Sequence, residues 1–360
     1  MRGPHAIAIF GAGAIGCWVG GRLAAGGARV TLIGRPRVLD ELVLDGLTVS
    51  ELDGPTRALR ALRTDGDIDG DIGGDTGGDT GGREPRVRVT LDPAAAGSAD
   101  LVLVTVKSAQ TAQAGAELAG VVPATTLVAS LQNGIRNTDT LRAAMPGRTV
   151  LAGMVPWNVV RRGPGAYHRA SSGTLMVEQH PRGGALYEAL AAAELAYEPR
   201  TDMPAVLWAK LVLNLNNAIN ALSGKPLAAE LAERAYRRCL AASQREALAL
   251  LSRARIPVAR LTAVPPRWMP RLLELPDPVF RLAARRTIAI DPHARSSMAD
   301  DLATNRPTEI AYLQGEIVAL AERLGRAAPI NAALVRLIEA AEAGGARTFA
   351  GDELAAAIGA

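Results

Sequence analysis

The chain lacks several things that would settle its class at once. Aromatic residues make up 3% of 360 positions, so any core must be assembled from Ala, Leu, Val and Ile. Cysteine occurs twice, at Cys17 and Cys239, in no metal-binding or redox spacing, which points to a reducing cytoplasm. The histidines His5, His168, His180 and His293 are dispersed, which excludes a histidine-based metal site. A net charge of +4 is small for this length, and arginines are scattered among acids without a basic block or interleaved aromatics. That excludes a nucleic-acid partner. Lysine is the scarcest charged residue: of 40 basic residues only Lys107, Lys210 and Lys225 are lysine. Arginine stays charged, whereas a lysine changes its pKa on burial, so a proton-donating role would fall to one of these three. Residues 5–21, HAIAIFGAGAIGCWVGG, carry no Asp, Glu, Lys or Arg and could mimic a signal peptide, with Cys17 as a lipidation site. Their glycine spacing fits a buried strand and turn better. No other stretch approaches the roughly 20 apolar residues that a membrane span needs.

What is present points to two domains, since 360 residues exceed a comfortable single core. The first half alternates strand and helix signals. HAIAIF (5–10), ARVTLIG (28–34), LVLVTV (101–106) and TLVASL (126–131) read as buried strands, and residues 14–27 as a helix ending in glycine. Continuous β-branched runs separated by helices predict a parallel sheet covered on both faces. Residues 65–82, DGDIDGDIGGDTGGDTGG, interrupt this pattern and read as a disordered insert. Asp65–Gly70 match the start of an EF-hand loop, but Thr76 stands where a bidentate Glu is needed. After about residue 200 helical patterns dominate, over 203–223, 226–255, 270–286 and 307–343 with a break near Pro329. The expected division is 1–200, an α/β domain, and 201–360, a helical domain.

GAGAIG places Gly11, Gly13 and Gly16 in a G-x-G-x-x-G pattern directly after a strand and at the opening of a helix. Gly11 permits the tight turn, Gly13 lets backbone approach a pyrophosphate, and Gly16 lets helix and strand pack closely. The expected cofactor turn is therefore Gly11, Ala12, Gly13, Ala14, Ile15 and Gly16. An NAD site places an acid at the end of the second strand to hold the ribose hydroxyls. This strand ends LIGRPR, with Arg35 and Arg37 and no acid. A guanidinium pairs with a 2′-phosphate that an acid would repel, so NADPH/NADP+ is expected, with Arg35 the better candidate. Lys107, ending LVLVTV, and Asn133, in LQNG, close two further strands at the same carboxyl edge, where ligands of open parallel sheets bind.

WAKLVLNLNNAIN (208–220) reads as a helix for burial, yet holds Lys210, Asn214, Asn216, Asn217 and Asn220. At about 100° per residue, Lys210, Asn214 and Asn217 share one stripe, and Asn216 and Asn220 lie on another side. On these residues alone, a hydrogen-bonding stripe between domains and an active site are equally open.

Taken together, GAGAIG, VTVKSAQT, LQNG, WAKLVLN and SSMADDLATNRPTEI resemble, in order and spacing, the motifs of ketopantoate reductases. The resemblance covers most of the chain apart from the insert. It implies a Rossmann-type parallel sheet in an α/β N-terminal domain and an all-α C-terminal domain of the 6-phosphogluconate dehydrogenase C-terminal-like kind. It also implies NADPH-dependent reduction of 2-dehydropantoate to (R)-pantoate in pantothenate biosynthesis, in the cytoplasm, by a protein whose partner is a small 2-oxo acid; a homodimer stays open. By the resemblance Lys210 is the proton donor and Asn214 binds substrate. Lys107 and Asn133 belong to the cofactor and substrate crevice, Ser297 holds the substrate carboxylate, and Glu309 lies near the cofactor ribose and the reacting centre. Ser297 with Asp300 also fits a helix-capping pair, and Glu309 after Pro307 fits a helix's first turn.

One position departs from the family. A second substrate asparagine belongs eight residues after the lysine, where this chain has Ala218. Asn217 is adjacent on the same stripe and is the expected substitute; Asn220 would require a two-residue insertion within a helix. Lysine suits the chemistry, because ketone reduction needs charge relief and a proton at oxygen. The histidines sit in no context matching lactate-type dehydrogenases. Two rival readings stay open: a reductase of another branched 2-oxo acid, and a non-catalytic NADP(H)-binding regulatory protein.

Overall fold

A computed structural model of the chain describes residues 5–52, 54–64, 86–284 and 294–360. The Gly/Asp insert 65–82 and its EF-hand-like start lie outside the described residues. The chain divides into two compact units, one of residues 1–132 and 136–201, the other of 133–135 and 202–360.

Among the described residues the first unit has twelve strands: β1 Ala6–Phe10, β2 Arg29–Ile33, β3 Leu47–Ser50, β4 Arg57–Arg63, β5 Arg86–Thr90, β6 Leu101–Val104, β7 Leu127–Ser130, β8 Thr149–Met154, β9 Val159–Gly163, β10 Ala166–Arg169, β11 Leu175–Glu178 and β12 Tyr197–Arg200. Their order is β12-β11-β8-β7-β6-β1-β2-β5-β4-β3-β10-β9. The central run from β8 to β4 is parallel throughout. Its flanks add antiparallel pairs, β11 on β8 and β3 on β4. The parallel sheet read from the sequence is this central run, and the antiparallel pairs lie outside it. The unit's helices are α1 Ala14–Ala25, α2 Pro36–Asp45, α3 Thr111–Val121, α4 Asn137–Ala144 and α5 Gly184–Ala192. β1 shows why both faces need cover. Ile7 and Ile9 join one buried cluster with Cys17, Trp18 and Leu23 of α1. Ala8 and Phe10 join another with Ala114 and Leu118 of α3 and Leu141 of α4. Alternate side chains of a strand point to opposite faces, so a continuous apolar strand demands helices on each.

The second unit is helical: α6 Met203–Asn214, α7 Asn216–Ser223, α8 Leu227–Ala232, α9 Arg234–Arg253, α10 Met269–Leu273, α11 Asp277–Ala284, α12 Ser297–Ala303, α13 Gln314–Arg323, α14 Pro329–Glu342 and α15 Gly351–Ile358. They share one apolar core, with Leu211, Leu215, Leu222, Leu251, Ile317, Leu334 and Ile338 at 0–1% exposure. Several polar groups in that core are paired. Glu246 accepts the backbone N–H groups of Ile330 and Asn331 at 3.0 and 2.9 Å, serving the open first turn of α14 that Pro329 begins.

The stretch 203–223 is not one helix, as its sequence suggests, but two, interrupted at Leu215. Two buried amides enter there. Gln244 Nε2 donates to the Val212 carbonyl at 3.2 Å and Gln314 Nε2 to the Leu215 carbonyl at 2.8 Å. A side chain inserted into the helical ladder is a recognised cause of a break.

Candidate active site

The glycine turn follows β1 at the point where strand order reverses, since β1 has β2 on one side and β6 on the other. Ligands of open α/β sheets bind at such a switch, at the carboxyl ends of the strands. Gly11 has φ +117°, and a Cβ there would lie 2.6 Å from the Val106 nitrogen. At Gly16 a Cβ would lie 2.1 Å from the Gly11 carbonyl oxygen and 2.6 Å from Thr105 Oγ1. The fold itself therefore requires both glycines. Gly13 differs: a Cβ there would meet nothing within 4 Å. It precedes α1 without a side-chain cap, and the helix's first turn holds no acid. Packing within the chain does not account for Gly13, and the open space beside an uncapped helix N-terminus fits a bound anion.

The turn is stitched to its neighbours. Gly11 and Ala12 donate to the Ile33 carbonyl at the end of β2, at 2.9 and 3.1 Å. Thr105 Oγ1 donates to the Gly11 carbonyl at 2.6 Å. Arg35 stands two residues past β2, exposed, as the N-cap of α2, and Arg37 is exposed in its first turn. Lys107 stands three residues past β6, half-buried, before the 3₁₀ turn Ser108–Gln110.

A buried amide network that sequence reasoning missed fixes this edge. Gln132 Nε2 donates to the Val106 carbonyl at 3.0 Å and to Thr111 Oγ1 at 2.7 Å. Thr111 in turn donates to Asn137 Oδ1, and Asn137 Nδ2 to Ser108 Oγ. The network brackets Lys107 on one strand end and Asn133 on the next. A buried glutamine directly after a strand was the available signal.

In the second unit Asn214 Nδ2 donates to Asn133 Oδ1 at 3.4 Å, so two of the expected substrate-binding residues meet. Lys210 precedes Asn214 by one helical turn. It is half-buried as a residue, and desolvation lowers its pKa from 10.5 to about 8. Asn217 follows across the break, half-buried, and its backbone carbonyl accepts from Ser296 Oγ at 3.1 Å. Asn220 is committed: Nδ2 donates to the Lys225 carbonyl and to Glu230 Oε2, and Oδ1 accepts from the Ser296 N–H at 2.9 Å. It is 0% exposed. Of the two asparagines that could stand in for the family's second one, only Asn217 keeps accessible surface.

The capping readings need correction. Ser296, not Ser297, is the N-cap of α12, and its Oγ accepts from the Ala299 N–H at 3.2 Å. Ser297 is the first helical residue and is exposed. Glu309 is not in an α-helix; it precedes the 3₁₀ turn Ile310–Tyr312 and makes no side-chain cap bond there. Among the described residues no group of three His, Cys, Asp or Glu side chains could hold a metal ion. No helix among them is long and apolar enough to cross a membrane.

Sheet, glycine turn and helical unit define a Rossmann-type α/β protein joined to an all-α unit. The family model described as ketopantoate reductase PanE/ApbA matches residues 7–182, and the model of that family's C terminal matches residues 202–342. The chain belongs to the ketopantoate reductase family and is an oxidoreductase. It is 28% identical over 347 residues to a 2-dehydropantoate 2-reductase of Halobacterium salinarum, covering 94% of this chain and 99% of that protein. The crystal structure of a PanE/ApbA family ketopantoate reductase from Ralstonia eutropha is also 28% identical, with a TM-score of 0.74 over 94% of this chain and 98% of that one. A D-mandelate dehydrogenase, solved in a ternary structure with NADH and anilino(oxo)acetate, is 20% identical, with a TM-score of 0.69 over 94% and 98%. At that identity the likeness is one of fold.

Proposed function

We propose that the chain reduces 2-dehydropantoate to (R)-pantoate with NADPH, in the cytoplasm, its first unit holding the cofactor and its second the substrate. The observation that carries this reading is Lys210, an ammonium whose desolvation brings its pKa to about 8, one helical turn from the Asn214–Asn133 pair. When bound, NADPH supplies the hydride that reduces the ketone carbon. The Lys210 ammonium offsets the charge developing on the carbonyl oxygen and passes its proton to that oxygen. Asn133, Asn214 and Asn217 orient the 2-oxo acid by amide hydrogen bonds, and Ser297 Oγ donates to its carboxylate. Glu309 binds at the cofactor ribose beside the reacting centre.

For the cofactor, the glycine turn Gly11–Gly16 would hold the pyrophosphate, Lys107 and Asn133 would flank it, and Arg35 would pair with the 2′-phosphate. The lack of an acid between Gly34 and Arg37 supports NADPH over NADH. A second reading, another branched 2-oxo acid as substrate, is favoured by Ala218. It is 0% exposed in α7 and offers no amide where the family has one.

The test is NADPH oxidation measured with a panel of 2-oxo acids. Turnover fastest with ketopantoate supports the first reading, and a clear preference for another branched 2-oxo acid selects the second. Arg35→Ala is expected to raise KM for NADPH about tenfold, a loss of about 1.4 kcal/mol, while leaving KM for NADH unchanged. Equal effects on both cofactors would remove Arg35 from the 2′-phosphate.

A further inference from the structure

Asn216 and Asn220, the two asparagines off the Lys210 stripe, converge on a residue that no motif singled out. Glu230, in α8, is 0% exposed. Its Oε2 accepts from Asn216 Nδ2 at 3.0 Å and from Asn220 Nδ2 at 3.2 Å. Among the described residues its Oε1 has no hydrogen-bond partner, and neither has Asn216 Oδ1. Both orphans are acceptors, and an unpaired buried acceptor is costly. One proton on Oε1 would serve both, closing the acid–amide pair that Asn216 Nδ2 and Oε2 begin.

Among the described residues no cation pairs with this carboxyl. Lys225 offers it no ammonium, since that group pairs with Glu233 and lies over the Tyr236 ring. Arg237 is spent on the carbonyls of Leu231, Leu273 and Leu275 and on Asp277. Of the other titratable groups nearby, Glu233 disfavours a second negative charge, while Tyr236 and Cys239 keep their own protons, raised by burial, and bring no positive charge. The cluster also reaches the expected substrate residues. Asn220 Oδ1 accepts the Ser296 N–H, and Ser296 Oγ bonds the Asn217 carbonyl and caps the helix that Ser297 opens.

We propose that Glu230 is a neutral carboxylic acid that donates from Oε1 to Asn216 Oδ1, and that this pair positions Ser297 and Asn217 for the substrate carboxylate through Asn220 and Ser296. Glu230 is thus a positioning residue. Its neutrality rests on geometry alone; only the roles of Ser297 and Asn217 rest on the function proposed above. Burial raises the Glu230 pKa from 4.5 to about 8, against the lowering effect of the two asparagine amides, so the acid persists at neutral pH.

The test uses the full chain and Glu230→Gln, whose amide N–H replaces the acid proton. The infrared C=O band of a protonated carboxyl should be present in the parent at pH 7 and lost in Glu230→Gln; a spectrum without that band overturns the proposal. Stability adds a second measure. The native state holds a proton that the unfolded chain has released, so the parent loses stability as pH rises from about 4.5 to about 8 and levels off above. Glu230→Gln has no such loss, and its melting temperature should gain on the parent's across that window. A gap constant with pH overturns neutrality.

Positioning is read from Glu230→Leu, with KM for the 2-oxo acid expected to rise at least tenfold and KM for NADPH unchanged. Unchanged substrate KM in a folded variant overturns the positioning role. Absence of turnover in the parent with every 2-oxo acid overturns the proposed function instead and leaves the infrared and stability arms standing.

Discussion

Charge and burial at single residues decide what the second unit can do. Lys210 carries its proton below about pH 8 and loses it above. A general acid works only while protonated, so kcat/KM should hold at neutral pH and fall about tenfold per unit above that pKa. Lys210→Ala is expected to lower kcat by about 10²–10⁴ and to remove this limb of the pH profile. Lys210→Arg keeps a cation but cannot release a proton near neutrality, so its kcat should stay low. A full-rate Arg variant would mean that charge alone suffices. The scarcity of lysine made Lys210 visible in the sequence. Glu230 had no such mark, because its meaning comes from amides 14 and 10 residues away that a break at Leu215 helps to orient.

At the scale of elements, the strand–turn–helix around Gly11 to Gly16 was legible because each glycine answers a local steric demand. The demands differ, and that difference is testable. Gly16→Ala drives a methyl into the Gly11 carbonyl and Thr105, and overpacking of this kind costs about 1–3 kcal/mol. Thermal denaturation should show that loss with or without cofactor. Gly13→Ala meets no atom of the chain, so its stability should stay within about 0.5 kcal/mol of the parent's. Its KM for NADPH should rise about tenfold if the open space is where the pyrophosphate lies; an unchanged KM would count against that placement. Other elements were not legible. β4, RALRALR, has no continuous apolar run to mark it, and only its pairing with β5 and β3 makes it a strand. The break between α6 and α7 is set by Gln244 and Gln314, which arrive from α9 and α13. No local pattern near Leu215 encodes them, and the bond from the Ser296 N–H to Asn220 Oδ1 spans 76 residues, so the capping serine was misplaced by one residue.

At the scale of the whole molecule, scarcity of aromatics raises the weight of the few there are. Two of the four tryptophans, Trp18 and Trp157, meet edge-on at 5.5 Å in the first unit. Arg169 lies over both rings, at 5.4 Å each, and Arg22 lies 5.6 Å from the Trp18 ring. Glu51 joins the two guanidiniums, pairing with Arg22 through Oε1 and with Arg169 through Oε2 at 2.7 Å. The side chains of Arg22 and Glu51 are 7% and 14% exposed. The cluster ties α1 to β10 and to the end of β3, and so secures the helix that the glycine turn opens to the flanking strands of the same sheet. Removing one partner of a buried ion pair leaves the other charge without compensation, at a cost of about 3–5 kcal/mol. Glu51→Gln does this to two arginines at once. It should lower the unfolding midpoint and weaken the near-ultraviolet circular dichroism of Trp18 and Trp157. Saturating NADPH should recover part of the loss, because a ligand at 100 times its Kd adds about 2.7 kcal/mol to the state that binds it. Keto acid alone should recover none, since the residues proposed to hold it belong to the other unit. Equal rescue by either ligand would contradict the assignment of cofactor to the first unit and substrate to the second.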